Sequence, residues 1–158
     1  MRLKFSLIGL LFISVVLFSS CGKDKPGYWS QDEQNAKDRQ LIEDYAGANN
    51  LSGQFTNSGL YYVIEESGEA EKPLPTAKIS VHYKGYYLDG VLLDEGDLDD
   101  TYISNLIPGW QEGIQLIGKN GNIKLIIPSV LGYGHAPTNG VRPDAVLVFD
   151  ILLKDFTN

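Results

Sequence analysis

The stretch KISVHYKGYYLDG, residues 78–90, decides the fold of this 158-residue chain. Its apolar residues Ile79, Val81 and Tyr83 alternate with polar neighbours. Alternation of this length predicts a β-strand that buries one face and exposes the other to water. The Asp89-Gly90 pair that follows is typical of a tight reversal between neighbouring antiparallel strands. We therefore expect an antiparallel sheet around this segment.

Further strands are predicted on both sides of this stretch. Asn120-Gly121 turns the chain before one of them, and the last is so continuously apolar that it must be buried on nearly both faces. The expected strands are residues 60–66, 78–87, 91–93, 123–127 and 146–153.

A short helix is predicted between the third and fourth of these strands. Pro108 suits the first turn of a helix, and Trp110, Ile114 and Ile117 recur on one face, with Gly118 able to end the helix. An acidic loop, residues 94–100, precedes it, and a loop rich in Gly and Pro, residues 129–144, follows later. The pattern predicts an α+β fold in which a curved antiparallel sheet of about five strands wraps over one short central helix.

The chain before the sheet contains a second predicted helix. Residues 31–48 are rich in helix formers and carry a thin apolar stripe, and the Asn, Ser, Thr and Gly of residues 49–59 predict a loop. We expect three parts in the chain. They are an N-terminal segment (residues 1–20), a tether with this helix (residues 21–55) and a folded domain (residues 56–158). The stripe consists of Ala36, Gln40, Leu41, Asp44 and Tyr45.

Residues 1–20 have the pattern of a secretory signal. Arg2 and Lys4 precede an apolar run of about 14 residues, which is shorter than the roughly 20 that a membrane-spanning helix needs. The sequence FSSC, residues 18–21, resembles the processing site of bacterial lipoproteins, which implies acylation of Cys21. We expect a lipid-anchored protein of the bacterial cell envelope, on the periplasmic side of a membrane. An ordinary signal peptide with an incidental cysteine is the alternative.

Composition narrows the classes of function. A formal charge of -7 disfavours binding to nucleic acid, whose phosphates an acidic surface repels. Cys21 is the only cysteine of the sequence, so no disulfide can form within the chain.

Four segments resemble the FKBP family of peptidyl-prolyl cis-trans isomerases, in order and at near-family spacing. They are VHYKGYYLDG (residues 81–90), LIPGWQEGIQLI (residues 106–117), IPSVLGYG (residues 127–134) and RPDAVLVFDILL (residues 142–153). The resemblance covers about 100 residues. It implies an apolar, aromatic pocket for a proline ring, with no cofactor and no metal.

The resemblance also implies roles for individual residues. Trp110 forms the floor of the pocket, Leu93 stands where the family usually has phenylalanine, and Tyr102 is the candidate for an aromatic wall. The Ile107 N–H and the Tyr133 hydroxyl hold substrate carbonyls. The catalytic set is Tyr83, Asp94, Ile107, Trp110, Tyr133 and Phe149, and the substrate-binding set is Leu93, Tyr102, Leu106 and Val141.

Several of these residues also have a simpler interpretation. Trp110 and Phe149 are also ordinary core residues. Asp94, Asp97 and Asp99 faintly match a calcium loop, but the far glutamate is missing and Gly96 comes too early.

Two functions follow from the same pocket. The first is proline isomerisation in exported proteins, whose X-Pro bonds isomerise slowly. The second is a non-catalytic module that binds proline-containing segments as a chaperone or assembly factor. We expect proline-containing polypeptides as partners, and a monomer.

Overall fold

The structure is a computed structural model that describes residues 30–138 and 140–158. The predicted signal, residues 1–20, and the predicted lipidation site, Cys21, lie outside the described residues. Within the described ranges, no helix combines the length and the apolar character needed to cross a membrane.

The described residues form two α-helices and six strands. The helices are α1 (Gln31–Ala48) and α2 (Pro108–Ile114). The strands are β1 (Gln54–Phe55), β2 (Tyr61–Glu66), β3 (Lys78–Tyr87), β4 (Leu92–Tyr102), β5 (Asn122–Ile127) and β6 (Leu147–Thr157). Short 3₁₀ helices occur at Ile103–Asn105 and Ser129–Leu131.

The strands form one antiparallel sheet in the order β1-β2-β5-β6-β3-β4. The predicted α+β class, with a sheet over a short helix, is confirmed. The strand β3 has the predicted bounds, whereas β1 lies inside the segment that the sequence predicts as a loop. Because β1 pairs with β2, the predicted domain boundary after residue 55 falls within this hairpin; it stays a prediction.

The acidic segment 94–100 is a strand, so its prediction as a loop was wrong. It belongs to β4, at the edge of the sheet beside β3. Lysines pair with most of its carboxylates: Lys84 pairs with Glu95 at 3.1 Å, and Lys154 with Asp97 at 3.0 Å. Lys84 lies on β3 and Lys154 on β6, so the pattern of the segment itself does not reveal these partners. Charged residues are also a common protection of an edge strand against aggregation.

The helix α2 covers the inner face of the sheet. Added Cβ atoms on Gly109 and Gly113 would lie 2.6 Å from Ile127 and 2.5 Å from Leu125, so both glycines permit the close approach of α2 to β5. The helix ends at Ile114, not near Gly118 as the sequence predicts, and Ile117 is buried in the turn that follows.

The helix α1 has the predicted bounds and packs on the outer face of the sheet. Ser30 caps it, with Glu33 completing a capping box. The predicted apolar stripe was wrong for four of its five residues, since only Tyr45 is half-buried against the sheet. The buried residues of α1 are Gln34, Asp38, Ile42 and Ala46. Asp38 can occupy this face because it accepts hydrogen bonds from Ser129 and from Gln34 of its own helix, which a hydropathy pattern does not reveal.

Candidate functional site

A cavity of about 380 Å³ opens between α2, the inner face of the sheet and the segments that flank it. Its volume is within the range of small-molecule sites in proteins. The lining residues are Tyr83, Leu93, Asp94, Leu98, Asn105, Leu106, Ile107, Trp110, Tyr133, Val141 and Phe149.

Three aromatic rings pack against one another in the wall of this cavity. Trp110 lies 5.2 Å from Tyr83 and 5.2 Å from Phe149, measured between ring centroids, at interplanar angles of 80° and 83°. Edge-to-face packing of this kind is the preferred arrangement of aromatic pairs. Trp110 and Phe149 are each only 4% exposed, so the rings are fixed by the core as well as by each other.

Gly85 makes room for the Phe149 ring. These two residues are opposite each other on β3 and β6, and a Cβ on Gly85 would lie 2.3 Å from Phe149 Cε1. The ring therefore lies directly over the β3 backbone, in space that any side chain at position 85 would occupy.

A β-bulge brings two adjacent residues of β4 to the cavity. Gly85 pairs with Asp94 and Tyr86 pairs with Leu92, which leaves Leu93 as the extra residue. In a regular strand, neighbours point to opposite faces, but a bulge re-aims them. Leu93 and Asp94 both line the cavity for this reason.

The polar edge of the cavity is a short hydrogen bond. The Tyr83 hydroxyl donates to Asp94 at 2.6 Å. This bond, with a smaller effect of burial, raises the pKa of Tyr83 to about 12. Burial likewise raises the pKa of Tyr133, with Asp94 adding to the shift. Both phenols are thus neutral donors at neutral pH.

The segment that enters α2 supplies the remaining polar group. Ile107 caps the helix, and the Gln111 side chain donates to the Leu106 carbonyl at 2.7 Å, which holds this segment against the first turn. Among the hydrogen bonds of the described residues, none uses the Ile107 N–H as donor. It is therefore available to a ligand.

The cavity brings together all but one of the predicted site residues. Tyr102 is the exception: it is 48% exposed, and its ring lies 5.0 Å from Lys78 Nζ instead of lining the cavity. A second bulge, between Leu98 and Thr101, shifts the register there, and Leu98 contributes the apolar wall expected from Tyr102.

Leu98 and Asn105 are lining residues that the sequence analysis missed. Leu98 is the single apolar residue within an acidic run, which was a usable signal. Asn105 carries no such signal. The acidic run itself does not form a calcium loop, since Asp97 and Asp99 accept hydrogen bonds from Lys154.

Comparison with known proteins agrees with the fold and the cavity. The model of the family described as FKBP-type peptidyl-prolyl cis-trans isomerase matches residues 69–154, more than half of the chain. The chain belongs to this FKBP-type family. The matched residues run from just before β3 to within β6 and include every residue that lines the cavity.

Curated FKBP-type relatives include proteins called FkpA. The chain is 41% identical to FkpA of Buchnera aphidicola over 107 residues, which are 65% of this chain and 44% of that protein. It is 35% identical to FkpA of Escherichia coli strain K12 over 127 residues, 78% of this chain and 46% of that protein. The chain thus spans less than half the length of either relative.

Two solved structures have folds similar to that of this chain. The crystal structure of FkpA from Escherichia coli aligns with a TM-score of 0.70 at 34% identity, over 80% of this chain and 60% of that one. A peptidyl-prolyl cis-trans isomerase from Pseudomonas syringae aligns with a TM-score of 0.69 at 20% identity, over 83% of this chain and 98% of that one. At this identity the second match supports the fold alone.

Proposed function

We propose that this chain is a peptidyl-prolyl cis-trans isomerase that binds the proline ring of its substrate against Trp110. The observation that carries the proposal is the cavity, in which the rings of Tyr83, Trp110 and Phe149 enclose an apolar hollow. Membership of the FKBP-type family and the names of the relatives support the same activity.

The reaction requires rotation about one bond. The peptide bond resists rotation by about 18–20 kcal/mol, because the nitrogen lone pair is delocalised into the carbonyl. No covalent bond forms or breaks, so the step needs no nucleophile. The protein accelerates it by binding the twisted form better than either planar isomer, at about 1.4 kcal/mol for each factor of ten in rate.

The cavity offers two ways to favour the twisted form. Its apolar walls remove water from the imide, and water favours the planar, charge-separated form of the bond. The Ile107 N–H and the Tyr133 hydroxyl are donors for the substrate carbonyls on either side of the proline. The Tyr83–Asp94 pair orders the polar edge of the cavity.

A non-catalytic binding module is the alternative, and Leu93 favours it. A leucine where the family usually has phenylalanine makes one wall of the cavity smaller. A loss of about 1–3 kcal/mol of transition-state contact would lower the rate by an order of magnitude or more.

A protease-coupled assay on a short proline peptide separates the two functions. We expect catalysis by the wild-type protein, a fall in kcat/KM of about 100-fold in Trp110→Leu, and a fall of about fivefold in Tyr133→Phe, which loses one hydrogen bond. Tyr45→Phe, on the half-buried α1 tyrosine, is the matched control. If micromolar protein binds the peptide but leaves its isomerisation at the uncatalysed rate, the chain is a binding module and not an isomerase.

We further propose that Cys21 carries a lipid anchor that holds a monomeric domain in the bacterial cell envelope, on the periplasmic side. The pattern of residues 1–21 supports this proposal, and several acyl chains on one residue would anchor firmly. Radiolabelled palmitate should enter the wild-type protein and not Cys21→Ser. Equal labelling of both would refute the anchor.

A further inference from the structure

A buried carboxylate joins α1 to the rim of the cavity. Asp38 is 0% exposed, and it accepts hydrogen bonds from the Ser129 backbone N–H at 2.8 Å and from the Ser129 hydroxyl at 2.6 Å. The Gln34 side chain donates a third bond at 2.7 Å. Burial of a charged group is costly unless hydrogen bonds compensate for it, so this carboxylate depends on its donors.

Ser129 begins the turn that carries Tyr133. We call residues 129–134 the Ser129 turn. The Ser129 carbonyl accepts hydrogen bonds from the Gly132 N–H at 3.0 Å and from the Gly134 N–H at 2.9 Å. The backbone on both sides of Tyr133 is therefore bonded to the residue that Asp38 holds, and a shift of Ser129 moves Tyr133 as well.

The helix that carries Asp38 lies outside the residues matched by the family model, which begin at residue 69. Its Ile42 and Ala46 pack with Ile126 and Val148 on the outer face of the sheet. Asp38 lies one turn before Ile42 on the same helical face, so this packing also fixes the carboxylate. A helix on the outer face is thus connected to a wall of a cavity on the inner face.

We propose that Asp38 is a positioning residue for the isomerase, because it holds the Ser129 turn with the Tyr133 hydroxyl at the cavity. The inference rests on the proposed function, since it concerns the same cavity. Without the carboxylate, the buried N–H and hydroxyl of Ser129 lose their acceptor, and the turn moves to satisfy them elsewhere. The helix α1 then contributes to activity as well as to the packing of the sheet.

Gln34 makes a conservative variant possible. Its side-chain Oε1 is buried, and the described residues offer it no hydrogen-bond partner. In Asp38→Asn, the asparagine oxygen can still accept both bonds from Ser129. The Gln34 amide, turned over, can accept a bond from the asparagine NH₂ through that Oε1. We expect Asp38→Asn to keep the turn in place and Asp38→Ala to release it.

The test measures kcat and KM of the full chain on a proline peptide. The variants are Asp38→Ala, Asp38→Asn and the control Asp44→Ala, whose exposed carboxylate on the same helix accepts a hydrogen bond from Gln40. We expect kcat/KM to fall about fivefold in Asp38→Ala, which is the loss expected when the Tyr133 hydroxyl is removed. It should stay within about twofold of wild type in the other two.

A Tyr133→Phe background separates positioning from a loss of stability. If Asp38 acts through the Tyr133 hydroxyl, Asp38→Ala lowers kcat/KM less in this background than in wild type, because coupled residues are not additive. Equal losses in both backgrounds, or wild-type kinetics in Asp38→Ala, would overturn the inference. If Asp38→Ala does not fold, Ser129→Ala, which removes only the hydroxyl donor, gives the same comparison.

If the wild-type protein shows no turnover, the proposed function has failed, and this result differs from a failure of the inference about Asp38. Hydrogen exchange of the Gly132 and Gly134 amides then decides the inference. Exchange about tenfold faster in Asp38→Ala, with the β3 amides unchanged, supports positioning of the turn. Unchanged exchange at both glycines overturns it.

Discussion

Replacing Gly85 by alanine adds a methyl group where the wall of the cavity has no room for one. The new Cβ would lie 2.3 Å from Phe149 Cε1 and 2.8 Å from Cδ1, whereas carbon atoms in contact are about 3.5–4.0 Å apart. The Phe149 ring must therefore move by about 1 Å. Trp110, whose ring centroid is 5.2 Å away, must move with it or be compressed.

The size of the expected losses in stability and activity follows from this displacement of the ring. Overpacking of a core by one methyl group costs about 1–3 kcal/mol, which lowers Tm by about 2–12 °C in a chain of this size. A misplacement of about 1 Å in a site can reduce catalysis by about 100-fold. We expect kcat/KM of Gly85→Ala on a proline peptide to fall by about 10- to 100-fold. The variant should stay folded in an assay that is run well below its lowered Tm.

Gly47→Ala is the matched control, because a Cβ on this α1 residue meets nothing within 4 Å. The isomerisation assay should give the wild-type kcat/KM for it, and Tm should be equal or higher, because alanine forms helix better than glycine. Should Gly85→Ala fail to fold, the double variant with Phe149→Leu removes the ring that the methyl group meets and should restore folding. A Gly85→Ala protein with wild-type Tm and wild-type kcat/KM would refute the geometry of the wall.

Two further predictions concern charge and protonation. The folded protein raises the pKa of Tyr83 above its usual value of 10 to about 12, so the stability contributed by the neutral phenol is complete below pH 10 and is lost as pH rises toward 12. In urea unfolding, the free energy of unfolding of Tyr83→Phe should fall less between these pH values than that of wild type. Equal falls in both proteins would contradict this. Asp150→Ala removes the carboxylate that pairs with Lys124, whose side chain is only 14% exposed, and should lower the free energy of unfolding by about 1–3 kcal/mol. Asp155→Ala removes the partner of Lys119 in an exposed ion pair and should lower it by about 0–1 kcal/mol. Similar losses in both variants would contradict the difference in burial.

The sequence predicts elements whose information is local. Period-two alternation gives β3 its observed bounds, and helix formers give α1 its observed bounds. The prediction fails for β4, since acidic residues are rare in strands and the compensating Lys84 and Lys154 come from β3 and β6.

The errors at the site have the same physical origin. Tyr102 was expected in the cavity because a sequence does not reveal the bulge that turns it outward and brings Leu98 to the wall. The buried face of α1 was misjudged because Asp38 is satisfied by Ser129, 91 residues away. Both errors concern contacts that exist only after the sheet has formed.

The central claim is that a bound proline ring lies on Trp110, inside the cavity. Nuclear Overhauser effects in a complex of the full chain with a proline peptide measure this directly. The account predicts contacts between the proline ring protons and the Trp110 indole protons. Proline contacts confined to residues outside the cavity, with none to Trp110, would contradict it.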